Sequence, residues 1–584
     1  MSEDIAVTDA TMARRRAVVL ALNLATVAAV VALMARLLGH NGWTWPEAGM
    51  IVLFAISAPW SVMGFWNAAI GFCLLHFGRD PLRRVNPLLD AAAAEAPITA
   101  RVALALAVRN EDPAAILERA RTMLASLDAT GWGHRFDLHV LSDSSRPAVI
   151  AAEEAGVAAL AAADPRVHYR RRPLNTGFKA GNLREFAERA VGRYDFMIVL
   201  DADSLMTGQA MLRLVRIAQA HADLGILQTL VVGRPSDSAF ARMFQFGMRH
   251  GMRSYTMGAT WWQGDSGPYW GHNAIIRLRP FVDHCHLPVL PGRPPLGGVI
   301  LSHDQVEAAM MRGAGFQVRV IPDEVGSWEE NPPSLPDFIK RDLRWCQGNM
   351  QYWRLLGRPG FRTMGRFQLL FAVLMYLGAP AWVGLTVLGV ANAFMPLPPD
   401  PQPFPAGLGL SLFAVVMTMV FAPKIAGVLD VLLRAEERRR YGGGARLLAG
   451  FAVETLFSLL TGPVMLVAEA IFMAGLLFGR RVAWEAQNRV GHYVPLAEAA
   501  RGLWPQALFG LALAGALYLG APGALPWAVP VLASLLLAIP FTSLTSSPWL
   551  GRQFQRLRLC AIPDEYEPAP ELSGRSGPGL RPAA

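Results

Sequence analysis

The chain has 584 residues, of which 53% are hydrophobic and only 17% are charged. Its mean hydropathy of +0.29 is too apolar for an ordinary soluble protein and too polar for a transporter embedded along its whole length. The net charge of +9 comes almost entirely from arginines beside apolar stretches, and no basic run interleaved with aromatic residues forms a nucleic-acid-binding module. We therefore expect a mixed membrane architecture with lipids, and no nucleic acid, as partners.

Two apolar stretches near the amino terminus, 17–39 and 50–76, are long enough to cross a bilayer, since one crossing takes about 20 residues. Arginines 14–16 precede the first stretch and further arginines follow the second. Because basic residues concentrate on the cytoplasmic side, we predict two spans within residues 1–97. Both flanks are then cytoplasmic and the 40–49 loop lies outside.

The segment 98–362 contains no membrane-length apolar stretch, which predicts a cytoplasmic domain. Short apolar runs predict buried strands at 102–108, 136–141, 195–200 and 225–228. The intervals between them predict helices at 113–127, 146–163, 179–190 and 207–220. This alternation favours a parallel sheet with crossover helices, in which ligands bind at the carboxyl ends of the strands. Polar residues follow three of these ends: Asn110, Glu111, Asp143 and Asp201.

Apolar stretches resume after this domain at 367–395, 406–432, 446–478, 503–520 and 523–543. The arginine-rich segments 434–440 and 480–481 should both be cytoplasmic, so the 446–478 block has to enter and leave on one side. Gly462-Pro463 predicts a hairpin there, giving about six spans and an interfacial segment within 363–550, and eight spans in all. Residues 551–584 are expected to form a cytoplasmic tail, in which the Pro- and Gly-rich part 570–584 is predicted to be disordered.

The tripeptide Asp201-Ala202-Asp203 directly follows the apolar run 196–200. Two carboxylates one residue apart at a strand's carboxyl end can hold a divalent cation against a diphosphate, and Mg²⁺ or Mn²⁺ suits such oxygen ligands. Asp-x-Asp also occurs by chance in solvated turns, but its position after an apolar strand favours a site. We predict Asp203 as a metal ligand, with Asp201 nearer to the ribose and the metal.

Asp304 stands at the start of a predicted helix, in the sequence Leu301-Ser302-His303-Asp304. One interpretation is helix capping, because Ser302 or Asp304 would satisfy free backbone N–H groups. A cap and a catalytic base are compatible, since the helix start also exposes the carboxylate. We predict Asp304 as the general base, with His303 as the less favoured alternative.

Arg344 and Trp345 offer a phosphate partner and a stacking face for a sugar. Their alternative interpretation is an amphipathic helix lying at the membrane, with the arginine snorkelling and the tryptophan at the interface. Lys179, in a Gly-bearing loop before a helix, is placed to contact phosphate, although it does not match the GxxxxGK[ST] loop and such lysines are often merely solvated. His272 and Asn273 follow Tyr269-Trp270 in a pattern typical of a sugar-lining turn, although aromatic clusters also pack cores.

The order Asp143, Asp201-x-Asp203, Asp304 and Arg341-x-x-Arg344-Trp345 resembles the processive inverting glycosyltransferases of family 2, the group of cellulose, chitin and hyaluronan synthases. Several blocks are more specifically similar to the glucans biosynthesis glucosyltransferase H family, and the likeness runs from about residue 50 to 572. These blocks are Val108-Arg109-Asn110-Glu111-Asp112, Leu141-Ser142-Asp143-Ser144, Tyr269-Trp270-Gly271-His272-Asn273-Ala274, Leu301-Ser302-His303-Asp304, Arg341-Asp342-Leu343-Arg344-Trp345-Cys346-Gln347-Gly348-Asn349 and Ile562-Pro563-Asp564-Glu565-Tyr566.

The resemblance implies an α/β domain of GT-A type inserted in an all-α, multi-span membrane domain of a Gram-negative inner membrane. It also implies UDP-glucose as donor and a β-1,2-linked glucose backbone for osmoregulated periplasmic glucans as product. One departure from the wider synthase group is Arg341, which stands where those enzymes carry Gln. The implied roles are as follows: Asp143 contacts uridine, Asn110, Glu111 and Lys179 bind the donor, Asp201 and Asp203 hold the metal–diphosphate, Asp304 is the base, Arg344 lines the diphosphate, and Trp345, His272 and Asn273 bind the acceptor.

We therefore predict a membrane-embedded inverting transferase that polymerises glucose at the cytoplasmic face and passes the growing glucan chain outward between its helices. An alternative within the class is a cellulose- or hyaluronan-type synthase, which the product linkage distinguishes. An alternative from another class is a membrane protein that senses UDP-glucose without turnover, and release of UDP from UDP-glucose would exclude it.

Overall fold

A computed structural model describes residues 9–93, 96–396, 398–482 and 491–573. Long apolar helices flank a domain of shorter helices and strands. In chain order the helices are α1 Asp9–Leu38, α2 Trp45–Phe77, α3 Pro81–Val85, α4 Asp90–Ala93, α5 Pro113–Asp128, α6 Pro147–Ala163, α7 Phe178–Ala190, α8 Gly208–Ala220, α9 Ala239–Gln263, α10 Leu278–His284, α11 Asp304–Gly313, α12 Leu335–Met350, α13 Thr363–Asn392, α14 Ala406–Leu433, α15 Ala435–Arg440, α16 Gly444–Leu477, α17 Leu496–Gly520, α18 Leu525–Thr545 and α19 Pro548–Leu557.

The middle of the chain forms one mixed sheet with the strand order β3-β2-β1-β4-β7-β6-β8-β5. Its strands are β1 Val102–Val108, β2 Phe136–Ser142, β3 Val167–Arg171, β4 Phe196–Asp201, β5 Leu205–Met206, β6 Leu224–Gly233, β7 Ala274–Arg277 and β8 Gln317–Glu329. The predicted strands are confirmed as β1, β2, β4 and β6, and the predicted helices as α5 to α8. The predicted parallel pairing is confirmed for β1 with β2 and β4, but the sheet is mixed, because β7 pairs antiparallel with both β4 and β6.

Alternation along β1 explains why the sheet is covered on both faces. Leu104 and Leu106 belong to the core cluster that includes residues of α5, α6 and α8. Ala103 and Ala105 point into the opposite cluster, which includes residues of α7, α10 and α11. Because successive strand residues face opposite ways, a continuously apolar strand requires cover on both faces, and these two helix layers supply it.

Helix α2 and the domain helix α9 are in backbone contact. A Cβ placed on Gly71 would lie 1.7 Å from the carbonyl oxygen of Ser254, and one placed on Gly258 would lie 1.9 Å from that of Asn67. Small residues that let two helix backbones meet are a common device of membrane helix packing. The apolar helices and the α/β domain are therefore joined by a tight helix pair as well as by the chain itself.

Among the described residues, seven helices are long and apolar enough to cross a membrane: α1, α2, α13, α14, α16, α17 and α18. The predicted hairpin at Gly462-Pro463 is wrong, because α16 continues through Pro463 as one helix of 34 residues. The eight-span count that depended on this hairpin falls with it. Proline removes one backbone donor, but helices buried among neighbours tolerate that loss.

Both flanks of α16 contact the α/β domain, although the helix is about 50 Å long. Before it, Arg440 lies 3.7 Å from Glu324 of β8. After it, the backbone N–H of Val482 donates to Gln347 of α12 at 2.8 Å. Between these points Phe457 packs edge-on against Phe240 of α9. Helix α16 thus packs against α9 and α12 of the domain as well as against the apolar helices α13 and α18, and it does so as one continuous helix.

The segment 558–573 also packs on the domain. Ile562 is fully buried and Leu572 is 9% exposed, each within a hydrophobic core cluster. The prediction of disorder is therefore wrong for residues 570–573, while 574–584 lie outside the described residues.

Candidate active site

The two aspartates of Asp201-Ala202-Asp203 lie at the carboxyl end of β4, in the middle of the sheet. The backbone N–H of Asp201 donates to Ser204 Oγ at 2.9 Å, which tightens the turn after the strand. Asp203 is 5% exposed, and its Oδ2 accepts the backbone N–H of Glu330 at 3.3 Å. The turn is therefore held from two sides, and this fixed geometry differs from that of a solvated loop.

Lys179 lies in the same place, at the start of α7. Its ammonium group contacts Oδ1 of Asp201 and donates to the carbonyl oxygen of Gly271 at 2.8 Å. The predicted contact of Lys179 with phosphate stays a prediction, and in this structure its partner is a carboxylate. A lysine that bridges an acidic turn and a neighbouring loop reduces the local negative charge, which favours a diphosphate.

The loop 269–273 crosses in front of these aspartates. Gly271 has φ +84° and Asn273 has φ +50°, both in the left-handed region that glycine and asparagine tolerate best. The Asn273 amide donates to Ser327 Oγ at 2.9 Å and to the carbonyl of Trp328 at 3.2 Å. Asn273 is completely buried, so in this structure the predicted acceptor-binding asparagine anchors the loop to β8.

Asp304 lies on the other side of this loop and begins α11. A Cβ placed on Gly271 would be 3.5 Å from the Asp304 Cβ, an ordinary van der Waals contact, so the loop backbone lies directly beside this side chain. The predicted capping by Ser302 or Asp304 is not seen: His303 occupies the N-cap position, and no side-chain hydrogen bond caps the helix. The helix start therefore leaves the Asp304 carboxylate available for chemistry.

His303, the alternative base, is buried and paired. Its Nδ1 lies 2.9 Å from Glu307 Oε2. Burial acts to lower the pKa of His303, but the neighbouring Glu307 carboxylate outweighs it, so the pKa is raised from its usual value. His303 is thus committed to a buried contact with Glu307, whereas Asp304 begins the helix without such a partner among the described residues, which favours Asp304 over His303 as base.

Helix α12 brings the Arg-x-x-Arg-Trp motif beside Asp304. At Gly348 the helix approaches so closely that a Cβ would lie 2.1 Å from Ser302 Oγ and 2.8 Å from its backbone nitrogen. One turn earlier, the Trp345 ring is 44% exposed. The Arg341 guanidinium lies over this ring, 4.7 Å from its centroid. Arg344 is buried, with 8% exposed.

Asp143 directly follows β2, which lies two strands away from β4 in the sheet. Both its carboxylate oxygens accept from Arg172, at 2.7 and 2.8 Å. This bidentate pair fixes the orientation of Asp143, and sequence reasoning missed Arg172, because nothing in the chain order links the two residues. Asn110 caps the neighbouring loop by accepting the N–H groups of Ser145 and Arg146.

Glu111, another predicted donor-binding residue, accepts the backbone N–H of Arg109. Asn110 and Glu111 therefore shape the loop after β1 through backbone contacts. Their carboxylate and amide groups lie at the same edge of the sheet as Asp143, in agreement with the rule that ligands of such sheets meet the carboxyl strand ends.

Glu329 is a site residue that sequence reasoning missed. It ends β8 and lies 3.4 Å from His272 Nε2. Burial raises the pKa of Glu329 above its usual value, and the nearby His272 and Arg341 only partly offset that effect. Sequence reasoning did not predict the strand β8 that carries Glu329, because the charges of Arg319, Asp323 and Glu324 interrupt the apolar pattern expected of a buried strand.

The donor set at Asp201 and Asp203 fits a hard divalent cation. Two carboxylates one residue apart supply oxygen ligands, and Asp203 Oδ2 is already oriented by a backbone N–H. No group of three or more His, Cys, Asp or Glu side chains with metal-binding spacing occurs in the part of the chain that the structure describes. A cation here would therefore complete its shell with water and substrate phosphate oxygens, as Mg²⁺ does at nucleotide sites.

Comparisons with known proteins match the part of the chain that contains this candidate site. Residues 105–284 match the family model described as glycosyl transferase family 2, and residues 196–425 match glycosyl transferase family group 2. A glucans biosynthesis glucosyltransferase H of Rhodopseudomonas palustris (strain TIE-1) is 37% identical over 568 residues, covering 95% of this chain and 78% of the relative. The protein of that name from Ralstonia nicotianae is 38% identical, covering 96% of this chain and 66% of the relative.

Among solved structures, a mannosyltransferase of Pyrobaculum calidifontis in complex with GDP-mannose and Mn²⁺ aligns with 62% of this chain and 98% of its own. The sequence identity is 16% and the TM-score is 0.38. An overlap this low carries no argument about substrate or metal.

Proposed function

Because the chain belongs to the glucans biosynthesis glucosyltransferase H family, we propose that this glycosyltransferase polymerises glucose from UDP-glucose into the β-1,2-linked backbone of osmoregulated periplasmic glucans. We propose further that it works processively in the bacterial inner membrane, with its catalytic domain in the cytoplasm. The donor, the linkage and the location are those that the motif blocks of this sequence imply.

One observation carries the proposal. Gly271 separates the Asp201–Lys179 pair from Asp304: its carbonyl accepts from Lys179 at 2.8 Å, and its Cα faces the Asp304 side chain. A sugar anomeric carbon in the space beside Gly271 would have a diphosphate-binding group on one side and a carboxylate base on the other. That is the arrangement which direct displacement with inversion requires.

The residues divide the work as follows. Asp304 accepts the proton of the acceptor hydroxyl as that oxygen attacks the anomeric carbon. Lys179 and Arg344 provide positive charge for the departing diphosphate, and Trp345 offers its exposed ring to the acceptor sugar. Mg²⁺ or Mn²⁺ held by Asp201 and Asp203 would supply further charge neutralisation when bound.

We place the path of the growing chain at a cavity between the helices, to which Arg341 connects the Trp345 ring. The cavity has a volume of about 420 Å³ and lies between α9, α12, α14 and α16, where Phe244, Phe338 and Phe457 line it. The Arg341 guanidinium stacks at 5.6 Å from the Phe244 ring and 5.5 Å from the Phe338 ring. Arg341 also contacts the ring of Trp345, so one side chain joins the acceptor position to the cavity wall. Aromatic faces of this kind suit the apolar faces of sugar rings.

The test uses the purified full chain in lipid nanodiscs with Mg²⁺ and radiolabelled nucleotide sugars. We expect release of UDP, incorporation of glucose, and β-1,2 linkages on methylation analysis, with UDP-glucose used faster than UDP-glucuronate or UDP-N-acetylglucosamine. A β-1,4-linked product would instead support a cellulose-type synthase. Binding of UDP-glucose without any release of UDP would support the sensing protein.

A further inference from the structure

The segment 558–573 is anchored on the catalytic domain at several points. Glu565 forms an ion pair with Arg242 of α9 at 2.6 Å. Near the other end, the Ser126 hydroxyl of α5 donates to Glu571 at 2.5 Å. Leu572 enters the hydrophobic core on the α5 and α8 side of the sheet. The segment is thus a brace that crosses from α9 to the far side of the domain, and we refer to residues 558–573 as the brace.

Asp564 is the one acidic residue of the brace whose carboxylate reaches a strand of the sheet. It is 8% exposed. Its Oδ2 accepts the indole N–H of Trp328 at 3.2 Å and also contacts the Arg249 guanidinium. Arg249 is 3% exposed and reaches Glu324 of the same strand at 2.6 Å. A buried carboxylate with these two donors fixes where the end of β8 lies.

Trp328 turns its side chain to the brace and its backbone to the active site. Its carbonyl accepts from Asn273 of the loop beside the aspartates at 3.2 Å. The next residue, Glu329, pairs with His272, and the N–H of Glu330 donates to Asp203. Three consecutive residues of β8 and its continuation therefore contact the residues proposed to hold metal and acceptor.

We propose that Asp564 is a positioning residue for the glycosyl transfer: by fixing Trp328 it orients the end of β8, and through it Asp203 and the 271–273 loop. The inference rests on the proposed function, because Asp203 matters here as a metal ligand. The brace then belongs to the catalytic unit, although more than two hundred residues separate it from β8 along the chain.

The test compares variants of the full chain in nanodiscs. Asp564→Asn keeps the shape of the side chain and removes its charge, and Trp328→Phe keeps an aromatic ring and removes the N–H donor. The matched control is Glu565→Gln, which weakens the neighbouring contact of the brace with α9 and leaves the contact with β8 in place. Mn²⁺ binding in the presence of UDP is measured by titration calorimetry, together with kcat, KM and thermal unfolding.

We expect Asp564→Asn and Trp328→Phe each to weaken Mn²⁺ binding about tenfold, the scale of one hydrogen bond to a charged group, and to lower kcat. The double variant should be no worse than the worse single variant, because both act through one contact. Glu565→Gln should bind Mn²⁺ normally, even if its unfolding temperature falls by as much as that of Asp564→Asn or Trp328→Phe.

Equal loss of Mn²⁺ affinity in Glu565→Gln, or additive effects in the double variant, would overturn the positioning role and leave only a structural one. If Asp564→Asn does not fold, Trp328→Phe against Glu565→Gln decides the question. Failure of the proposed function looks different, because the unaltered protein would then release no UDP from UDP-glucose.

Discussion

At the scale of single residues, the proposed roles separate charge neutralisation from proton transfer. Asp203 is oriented by a backbone N–H and lies with Asp201 and Lys179, whereas Asp304 lies across Gly271 at an uncapped helix start. His303, next to Asp304 in sequence, points into the protein and is committed to Glu307. Neighbouring positions in a motif thus have different tasks, because the start of α11 directs their side chains to different surroundings.

This separation predicts different failures for two aspartate variants. Asp304→Asn keeps the shape of the base but cannot accept the proton, so it should bind UDP-glucose with Mg²⁺ nearly normally while glucan synthesis falls about 10²–10⁴-fold. Asp203→Ala should lose metal-dependent donor binding as well, since the diphosphate charge is no longer neutralised. Titration calorimetry with UDP-glucose beside radiolabelled glucose incorporation measures both. Substantial polymer from Asp304→Asn would move the base to another residue, with His303 the next to test.

At the scale of elements, α12 and the 301–304 segment form one packed unit. Besides the close approach at Gly348, the Gln351 side chain accepts the N–H of Leu301 at 2.9 Å, and the Tyr352 hydroxyl donates to the Ser302 carbonyl at 2.8 Å. Because α12 carries Trp345, this unit sets the distance between the Trp345 ring, which we propose binds the acceptor, and Asp304, the proposed base. Interiors are packed closely enough that one added methyl group is felt.

Gly348→Ala should therefore impair catalysis by moving α12 away from Asp304. The added Cβ would meet Ser302 backbone as well as its side chain, and overpacking of this kind costs about 1–3 kcal/mol. Gly357→Ala is the control, since no heavy atom lies within 4 Å of its Cβ position. Thermal unfolding and glucose incorporation are measured for both. Equal activity of the two variants would show that the approach at Gly348 does not set the site geometry.

At the scale of the whole molecule, the loops divide into two groups. The Asn41 side chain accepts the backbone N–H of Gln402 and donates to its carbonyl, and the Thr44 hydroxyl donates to the side-chain oxygen of Asn392, which brings the loops after α1 and α13 together. The regions around 440 and 482 instead contact the catalytic domain. If α16 runs along the domain without crossing, the remaining six apolar helices return the chain to the side from which it starts.

Site-directed tags test this topology in intact cells. Tags at residues 45 and 400 should be labelled from the periplasm, and tags at 440 and 482 should be protected until the membrane is permeabilised. The reason is that the first pair lies in the loop group away from the catalytic domain and the second pair lies against it. Periplasmic labelling at 482 would mean that α16 crosses the bilayer.

The amino-acid sequence by itself determined the strands β1, β2, β4 and β6, the helices between them and the membrane-length helices, because their apolar patterns are local and continuous. It also located the acidic motifs at strand ends and at the start of a helix. Their chemical roles stay predictions. Strands β3, β5, β7 and β8 were not predicted, since β3, β5 and β7 are only five, two and four residues long and charged residues interrupt the apolar pattern of β8.

Only the tertiary structure decided which distant groups meet. The pairing of Arg172 with Asp143, the contact of Asp564 with Trp328 and the course of α16 each join residues that no local pattern relates. The apolar length of α16 is compatible with one crossing, a hairpin or a course along the domain. An apolar sequence shows that a surface is buried away from water, but it does not show whether lipid or protein covers that surface. The continuous helix excludes the hairpin, and its contacts with distant elements exist only once the chain has folded.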